Sequence, residues 1–229
     1  LDFVERLGDP ALGFVAEPPG TSEVTLVAFG GIRGGLGIPP YEFFRVTEGL
    51  PVRRVFVRDL DQVWYLRGVR GLGDTLPEAA AALGEALGAP VRLVTTGNSA
   101  GGFAAIAFGS LLGADETHAF APQTAIDRRH RVRWMDVRWP REMHHLRRVR
   151  AAPELLDLRT VLRDHPGSAI HVHHSAAHGW DRRHAEHLRD LPDVTLHAYP
   201  AGGHRLVAEL RDDGRLDAIL SRAIARRDE

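Results

Sequence analysis

At 229 residues the chain can bury one good core and is short for two, and its 44% hydrophobic and 26% charged content is that of a soluble globular domain. A formal net charge of −1 gives no global field that would select nucleic acid or an anionic membrane. With no cysteine, the sequence excludes disulfides, thiolate metal sites and a cysteine nucleophile. No uninterrupted apolar span reaches transmembrane length and the first residues carry no signal-peptide pattern. The expectation is a cytoplasmic protein without a membrane partner. All 29 basic residues are arginine, as a high-GC coding bias produces.

Along the chain, apolar runs of β character alternate with helical patterns. Gly13–Ala16 offers a short antiparallel edge strand. Glu23–Phe29 reads as a buried strand ending in Gly30-Gly31, and Pro40–Glu48 as a short helix started by Pro39-Pro40. Arg53–Val57 is a second strand. A helix follows over Asp74–Leu87, capped by Asp74 or Thr75 and ended by Gly88. Val91–Thr95 is the next strand, and the helix after Ser99 runs to about Leu112. Thr117–Phe120 and Ala169–His173 are further strands. A helix from Asp181 or Arg182 to Asp190 precedes the last strand, Val194–Tyr199, and a C-terminal helix begins near His204–Val207. Such alternation predicts an α/β domain spanning 1–229: a mostly parallel sheet with helices on both faces. Residues 122–162 break the rhythm and are too long for a simple crossover, so they read as a lid inserted over the strand ends.

The most informative stretch is Val91–Leu111, where a β-type run meets Gly97-Asn98-Ser99-Ala100-Gly101 and a small-residue helical run follows at once. Strand, Gly-x-Ser-x-Gly and helix in that order make a nucleophile elbow. The turn is tight enough that its flanking positions exclude bulky side chains, which Gly97 and Gly101 satisfy. The Ala100 N–H then lies at a helix N-terminus, where it can stabilise an oxyanion. A serine needs a base and the base an orienting acid, in chain order Ser, acid, His for this kind of sheet. His204, in Ala-Gly-Gly-His-Arg directly after the last strand, is the expected base. For the acid, Asp181 follows the Ala169–His173 strand, although an N-cap would suit it equally. Asp127 is the alternative and Asp164 a third choice. The second oxyanion donor is expected from Gly31 or Ile32, in a loop that could also be an ordinary tight turn.

Other features are less specific. Arg128–Arg150 holds nine arginines with Trp134 and Trp139. This is either a solvated lid surface or a grip for an anionic group, with Arg128 as a candidate contact. Gln123 is a further candidate contact. Trp64 and Tyr65, after the second main strand, fit core packing at least as well as a pocket wall. His171 and His173 point the same way on a strand, but His171, His173, His174 and His178 show no standard zinc spacing, so neither a metal nor another cofactor is expected.

With the elbow, the Gly30–Gly31 loop and a late His204, the chain resembles the α/β-hydrolase superfamily, and within it small bacterial hydrolase-like proteins. The similar segments are Phe29–Phe44, Val57–Tyr65, Gly97–Gly101, Ala119–Thr124, and Asp181 with His184-Ala185-Glu186. The resemblance implies a Ser99–His204–Asp181 triad. The function expected is serine hydrolysis of an ester, thioester or amide through an acyl-enzyme. Acyl transfer by the same residues, or a non-catalytic binding module on the same fold, are the alternatives. The implied partner is a small-molecule or carrier-bound acyl substrate, anionic in one reading. Nothing in the sequence fixes the oligomeric state.

Overall fold

A computed structural model describes residues 2–32 and 41–225. A short capped helix, α1 (Phe3–Leu7), leads into β1 (Phe14–Ala16), β2 (Val24–Phe29) and β3 (Arg53–Val57). Helix α2 (Leu76–Leu87), capped by Thr75, precedes β4 (Arg92–Asn98), α3 (Ala100–Leu112) and β5 (Glu116–Phe120). Three helices follow, α4 (Arg128–Trp134), α5 (Pro140–Leu146) and α6 (Leu158–Asp164), with a 3-10 turn at Pro153–Leu156. The chain ends in β6 (Ala169–Ser175), α7 (Gly179–Glu186), β7 (Val194–Tyr199), α8 (Leu206–Asp212) and α9 (Arg215–Ile224).

The strands form one seven-stranded sheet in the order β1-β3-β2-β4-β5-β6-β7. Only β1 is antiparallel, against β3. Alternation along each strand sorts its side chains to two apolar layers. Val27, Ala119, Ile170 and Val172 pack with α2, α3, α6 and α7 on one face. On the other, Ala28, Phe56 and Phe120 meet α1, α8 and α9. Residues Ala100–Ser110 of α3 are buried on every side, which explains why the helix is apolar and small-residued all round. No helix among the described residues is long and apolar enough to cross a membrane.

Four expectations need correction. Residues 41–49 form a series of turns rather than a helix, because Phe43 takes φ 68° and buries its ring against Phe120. Pro39 and Pro40 lie outside the described residues. Helix α7 starts at Gly179, not Asp181, with His178 as its N-cap. The C-terminal helix is two helices broken at Gly214. Segment 122–162 also divides differently. Ile126 N–H donates to Leu156 O and Leu158 N–H to Thr124 O, pinching the excursion shut at its base. Helix α6 then packs on α3, and within the excursion Met143 and Leu146 join the same core cluster.

Candidate active site

The turn between β4 and α3 is as tight as the sequence demands. A Cβ on Gly97 would lie 2.0 Å from the Gly101 carbonyl oxygen, and one on Gly101 would lie 2.2 Å from Phe29 O. Neither position has room for any side chain. Ser99 adopts φ 56°, ψ −116°, a conformation that L-residues avoid unless the surrounding structure imposes it. Its N–H donates to Phe120 O at 2.8 Å, so the elbow is held by the β4–β5 ladder. The serine hydroxyl is thereby aimed at the carboxyl edge of the sheet.

His204 reaches it from a 3-10 turn (Gly203–Arg205) after β7, where Gly202 and Gly203 both take positive φ. Ser99 Oγ lies 3.0 Å from His204 Nε2. On the other side of the ring, Nδ1 lies 3.0 Å from both Oδ1 and Oδ2 of Asp181. Asp181 is fully buried in the first turn of α7, and the N-cap role belongs to His178. Of the alternative acids, Asp127 caps α4 and pairs with His130, and Asp164 ends α6. The structure brings together Ser99, His204 and Asp181.

Asp181 has a second partner, Arg138, whose Nη1 donates to Oδ1 at 2.7 Å and lies 3.4 Å from His204 Nδ1. The other edge of the guanidinium grips Asp136, with Nε to Oδ1 at 3.0 Å and Nη2 to Oδ2 at 2.7 Å. His184 Nε2 sits 3.3 Å from the same carboxylate. Burial pushes the Asp181 carboxyl up, but the hydrogen bond and charge of His204 and those of Arg138 outweigh it and hold it below its ordinary value. Asp136 follows the same logic: burial raises it, while His184 and Arg138 pull it well below the carboxylate range.

Gln123 completes the surroundings of the serine. Trp64 Nε1, which can only donate, reaches Gln123 Oε1 at 3.1 Å. That contact turns the amide so that Nε2 donates to Ser99 Oγ at 2.9 Å. The hydroxyl oxygen thus accepts from Gln123 and has two acceptors within reach of its own proton, His204 Nε2 at 3.0 Å and Gln123 Oε1 at 3.2 Å. Tyr65 is fully buried, and its hydroxyl donates to Gly30 O at 2.7 Å, propping the loop after β2.

The oxyanion candidates differ among themselves. Ala100 N–H heads α3, where the first amides of a helix have no intrahelical acceptor. Gly31 N–H instead donates to Glu42 Oε2 at 2.9 Å. Glu42 Oε1 accepts from Asn98 Nδ2 at 3.0 Å, so this buried carboxyl ties the β2 loop to the elbow. Its proton affinity is raised by burial, against the hydrogen bonds from Gly31 and Asn98. In this arrangement the Gly31 N–H is engaged by Glu42.

Arg128 lies away from the serine, on a groove of about 900 Å³ built wholly from residues 126–156. Val132, Met143 and Leu146 supply apolar walls, and Arg128, Arg131 and Arg147 supply charge. The stretch 137–140, which runs into the first turn of α5 with Trp139 at φ 58°, lies between the groove and His204. Val137 and Pro140 face the groove, while Arg138 and Trp139 face His204, with the Trp139 ring 5.9 Å from the imidazole. Glu42, Asp136 and Arg138 carry no local signal of these contacts, because each acts through a partner more than ten residues away.

No protein-family model matches the chain, and no curated protein matches it by sequence. Solved structures do. The serine hydrolase FphF of Staphylococcus aureus, a fluorophosphonate-binding protein, is similar over 96% of both chains, with a TM-score of 0.63 and 10% identity. The chain has the α/β-hydrolase fold. The capsule O-acetyltransferase of Neisseria meningitidis serogroup A is similar over 89% of each chain, with a TM-score of 0.63 and 14% identity. Acetyl xylan esterase 1 of Thermoanaerobacterium is similar over 87% of this chain and 76% of its own, with a TM-score of 0.51 and 15% identity.

Proposed function

We propose that the protein is a serine hydrolase that cleaves an ester, thioester or amide through an acyl-enzyme on Ser99. The observation that carries this reading is the continuous row from a strained elbow serine through His204 to Asp181, with 3.0 Å at each step. His204 Nε2 takes the Ser99 proton as Oγ attacks the acyl carbonyl. Asp181 keeps the remaining ring proton on Nδ1 and stabilises the imidazolium that forms. Ala100 and Ile32 N–H groups receive the developing oxyanion, each such donor being worth roughly 10²–10³-fold in rate. His204 then protonates the leaving group, and water attacks the acyl-enzyme by the same path in reverse.

Likeness to a serine hydrolase, an O-acetyltransferase and an acetyl xylan esterase supports acyl chemistry as the class and a short acyl group as its object. The O-acetyltransferase likeness also supports a second outcome, in which a hydroxyl acceptor takes the acyl group in place of water. Residues 127–156 act in this reading as a lid on one domain, and its arginine-flanked groove takes the anionic end of the substrate. A non-catalytic binding module is disfavoured because it has no use for an aligned serine, histidine and carboxylate.

Steady-state hydrolysis of short-chain p-nitrophenyl esters tests the reading. Ser99→Ala should lower kcat/KM by at least about 10³-fold. An unchanged kcat/KM in that variant contradicts the mechanism. Product analysis with added alcohols separates transfer from hydrolysis.

A further inference from the structure

Outside the active site, three adjacent strands carry an unusual row on the face toward α8 and α9. Glu116 and His118 of β5, His171 and His173 of β6, and His197 and Tyr199 of β7 all project to that side, as strand alternation requires. His118 and His171 are direct partners in the β5–β6 ladder, and their rings stack 4.8 Å apart at 14°. Both rings turn Nε2 toward one oxygen, Glu116 Oε1, at 2.9 Å for His118 and 3.4 Å for His171. The three ligand-type atoms lie within 4.8 Å of one another.

The geometry points to a divalent transition-metal site, of Zn²⁺ type, formed by Glu116 Oε1, His118 Nε2 and His171 Nε2. A tetrahedral Zn²⁺ at about 2.0–2.1 Å from its ligands separates them by roughly 3.3 Å. The observed 2.9 and 3.4 Å from Glu116 Oε1 bracket that value, and the two near-parallel rings must tilt toward each other for both Nε2 lone pairs to meet one ion. Two imidazoles and one carboxylate favour zinc-type ions over magnesium or calcium, which take oxygen ligands.

What distinguishes this cluster from a chance meeting of histidines is its outer shell. A metal-binding histidine needs an acceptor for its other ring N–H, and here both have one. His118 Nδ1 lies 3.0 Å from His173 Nε2, and His171 Nδ1 lies 3.0 Å from His197 Nε2. His173 Nδ1 is backed in turn by Tyr199 Oη at 3.1 Å. The second carboxylate oxygen of Glu116 is held by Arg92 Nη2 at 2.6 Å. When the metal binds, the ring proton of each ligand sits on Nδ1 and its Nε2 lone pair is free to coordinate. The His171 side chain is 19% exposed against 7% for His118, so the ion enters past His171 and its fourth position faces that side.

This site would join β5 to β6 at the amino-terminal end of the sheet. Glu116 begins β5, four residues before Phe120, or roughly 13 Å along the strand from the level of the elbow. It is independent of the Ser99 reading. The sequence points away from metal because His171, His173, His174 and His178 show no standard zinc spacing, and the partners His171 meets here arrive only by strand pairing.

The test is Zn²⁺ titration of chelator-treated protein against a chromophoric chelator, with Co²⁺ absorption as a report on geometry. The wild type should bind one tight equivalent, raise its Tm with Zn²⁺, and give an intense tetrahedral-type Co²⁺ visible spectrum. His171→Gln should weaken that equivalent by at least about 100-fold and abolish the Tm rise. His197→Gln, which keeps all three ligands, should weaken it by roughly tenfold. His204→Ala and His187→Gln, each breaking a different histidine–carboxylate group, should leave it intact. No tight equivalent in the wild type overturns the assignment. So does an equivalent that survives His171→Gln or that disappears in His204→Ala or His187→Gln.

Discussion

Arg138 Nη1 donates to Asp181 Oδ1 at 2.7 Å, on the same carboxylate that faces His204 Nδ1. A side chain from the excursion between β5 and α6 therefore shares the acid of the proposed triad. Because the other edge of Arg138 holds Asp136, one guanidinium neutralises two buried carboxylates at once.

Replacing Arg138 should cost stability. Arg138→Met leaves Asp136 and Asp181 without their cation, which for a buried pair costs about 3–5 kcal/mol. Both carboxyls are depressed in the folded state, so their stabilising contribution is present above the ordinary carboxylate pKa and is lost as pH falls through the folded values. Arg138→Met should remove that contribution, and acid unfolding of the variant should begin at higher pH. Arg138→Lys should restore part of the stability. Urea unfolding across the acid range checks these outcomes; an acid-unfolding onset that Arg138→Met leaves unmoved contradicts the electrostatic coupling.

Gln123 positions the serine, and Trp64 positions Gln123. Gln123→Leu should lower kcat by roughly 10- to 100-fold with little change in KM, less than the ~10²–10³ for an oxyanion donor. Trp64→Phe, which keeps the ring and removes the N–H that fixes the amide, should lower kcat in the same direction but less. Equal kcat for Trp64→Phe and wild type would show that the amide orientation does not depend on the indole.

Asp59 organises the turn that carries Trp64 and Tyr65. Its Oδ2 accepts from Val63 N–H at 2.6 Å and Tyr65 N–H at 2.9 Å, in a stretch where Gln62, Trp64 and Tyr65 all have positive φ. Burial pushes this carboxyl up to about 6, against the backbone hydrogen bonds. A folded value above the unfolded one means that ionisation costs stability as pH rises from about 4 to 6. Relative to Asp59→Asn, the wild type should lose stability across that interval and then level off. A pH-independent difference in urea midpoint would contradict this.

Gly97→Ala should abolish activity and destabilise the fold by roughly 3 kcal/mol or more, since its Cβ would meet Gly101 O at 2.0 Å. Gly179→Ala, at a position with open space around it, should change stability little. Thermal unfolding of the two variants makes the comparison.

The strands and the elbow were legible because both are local signals. Apolar runs such as Val24–Phe29 and glycines flanking Ser99 state their structure within a few residues. His204 and Asp181 are candidates by their position after strands, and the fold class follows from alternation. Turns at 41–49 were misread as helix because nothing local shows that Phe43 must leave helical backbone to reach Phe120. Glu42, Arg138 and the outer partners of His118 were invisible for a related reason. Their meaning depends on which strand or loop the chain later lays beside them.

The central claim is an activated serine, and intact-protein mass after fluorophosphonate treatment tests it most directly. The account predicts one adduct on the wild type, none on Ser99→Ala, and very slow labelling of His204→Ala. An unlabelled but demonstrably folded wild type, or an adduct that persists in Ser99→Ala, would contradict it.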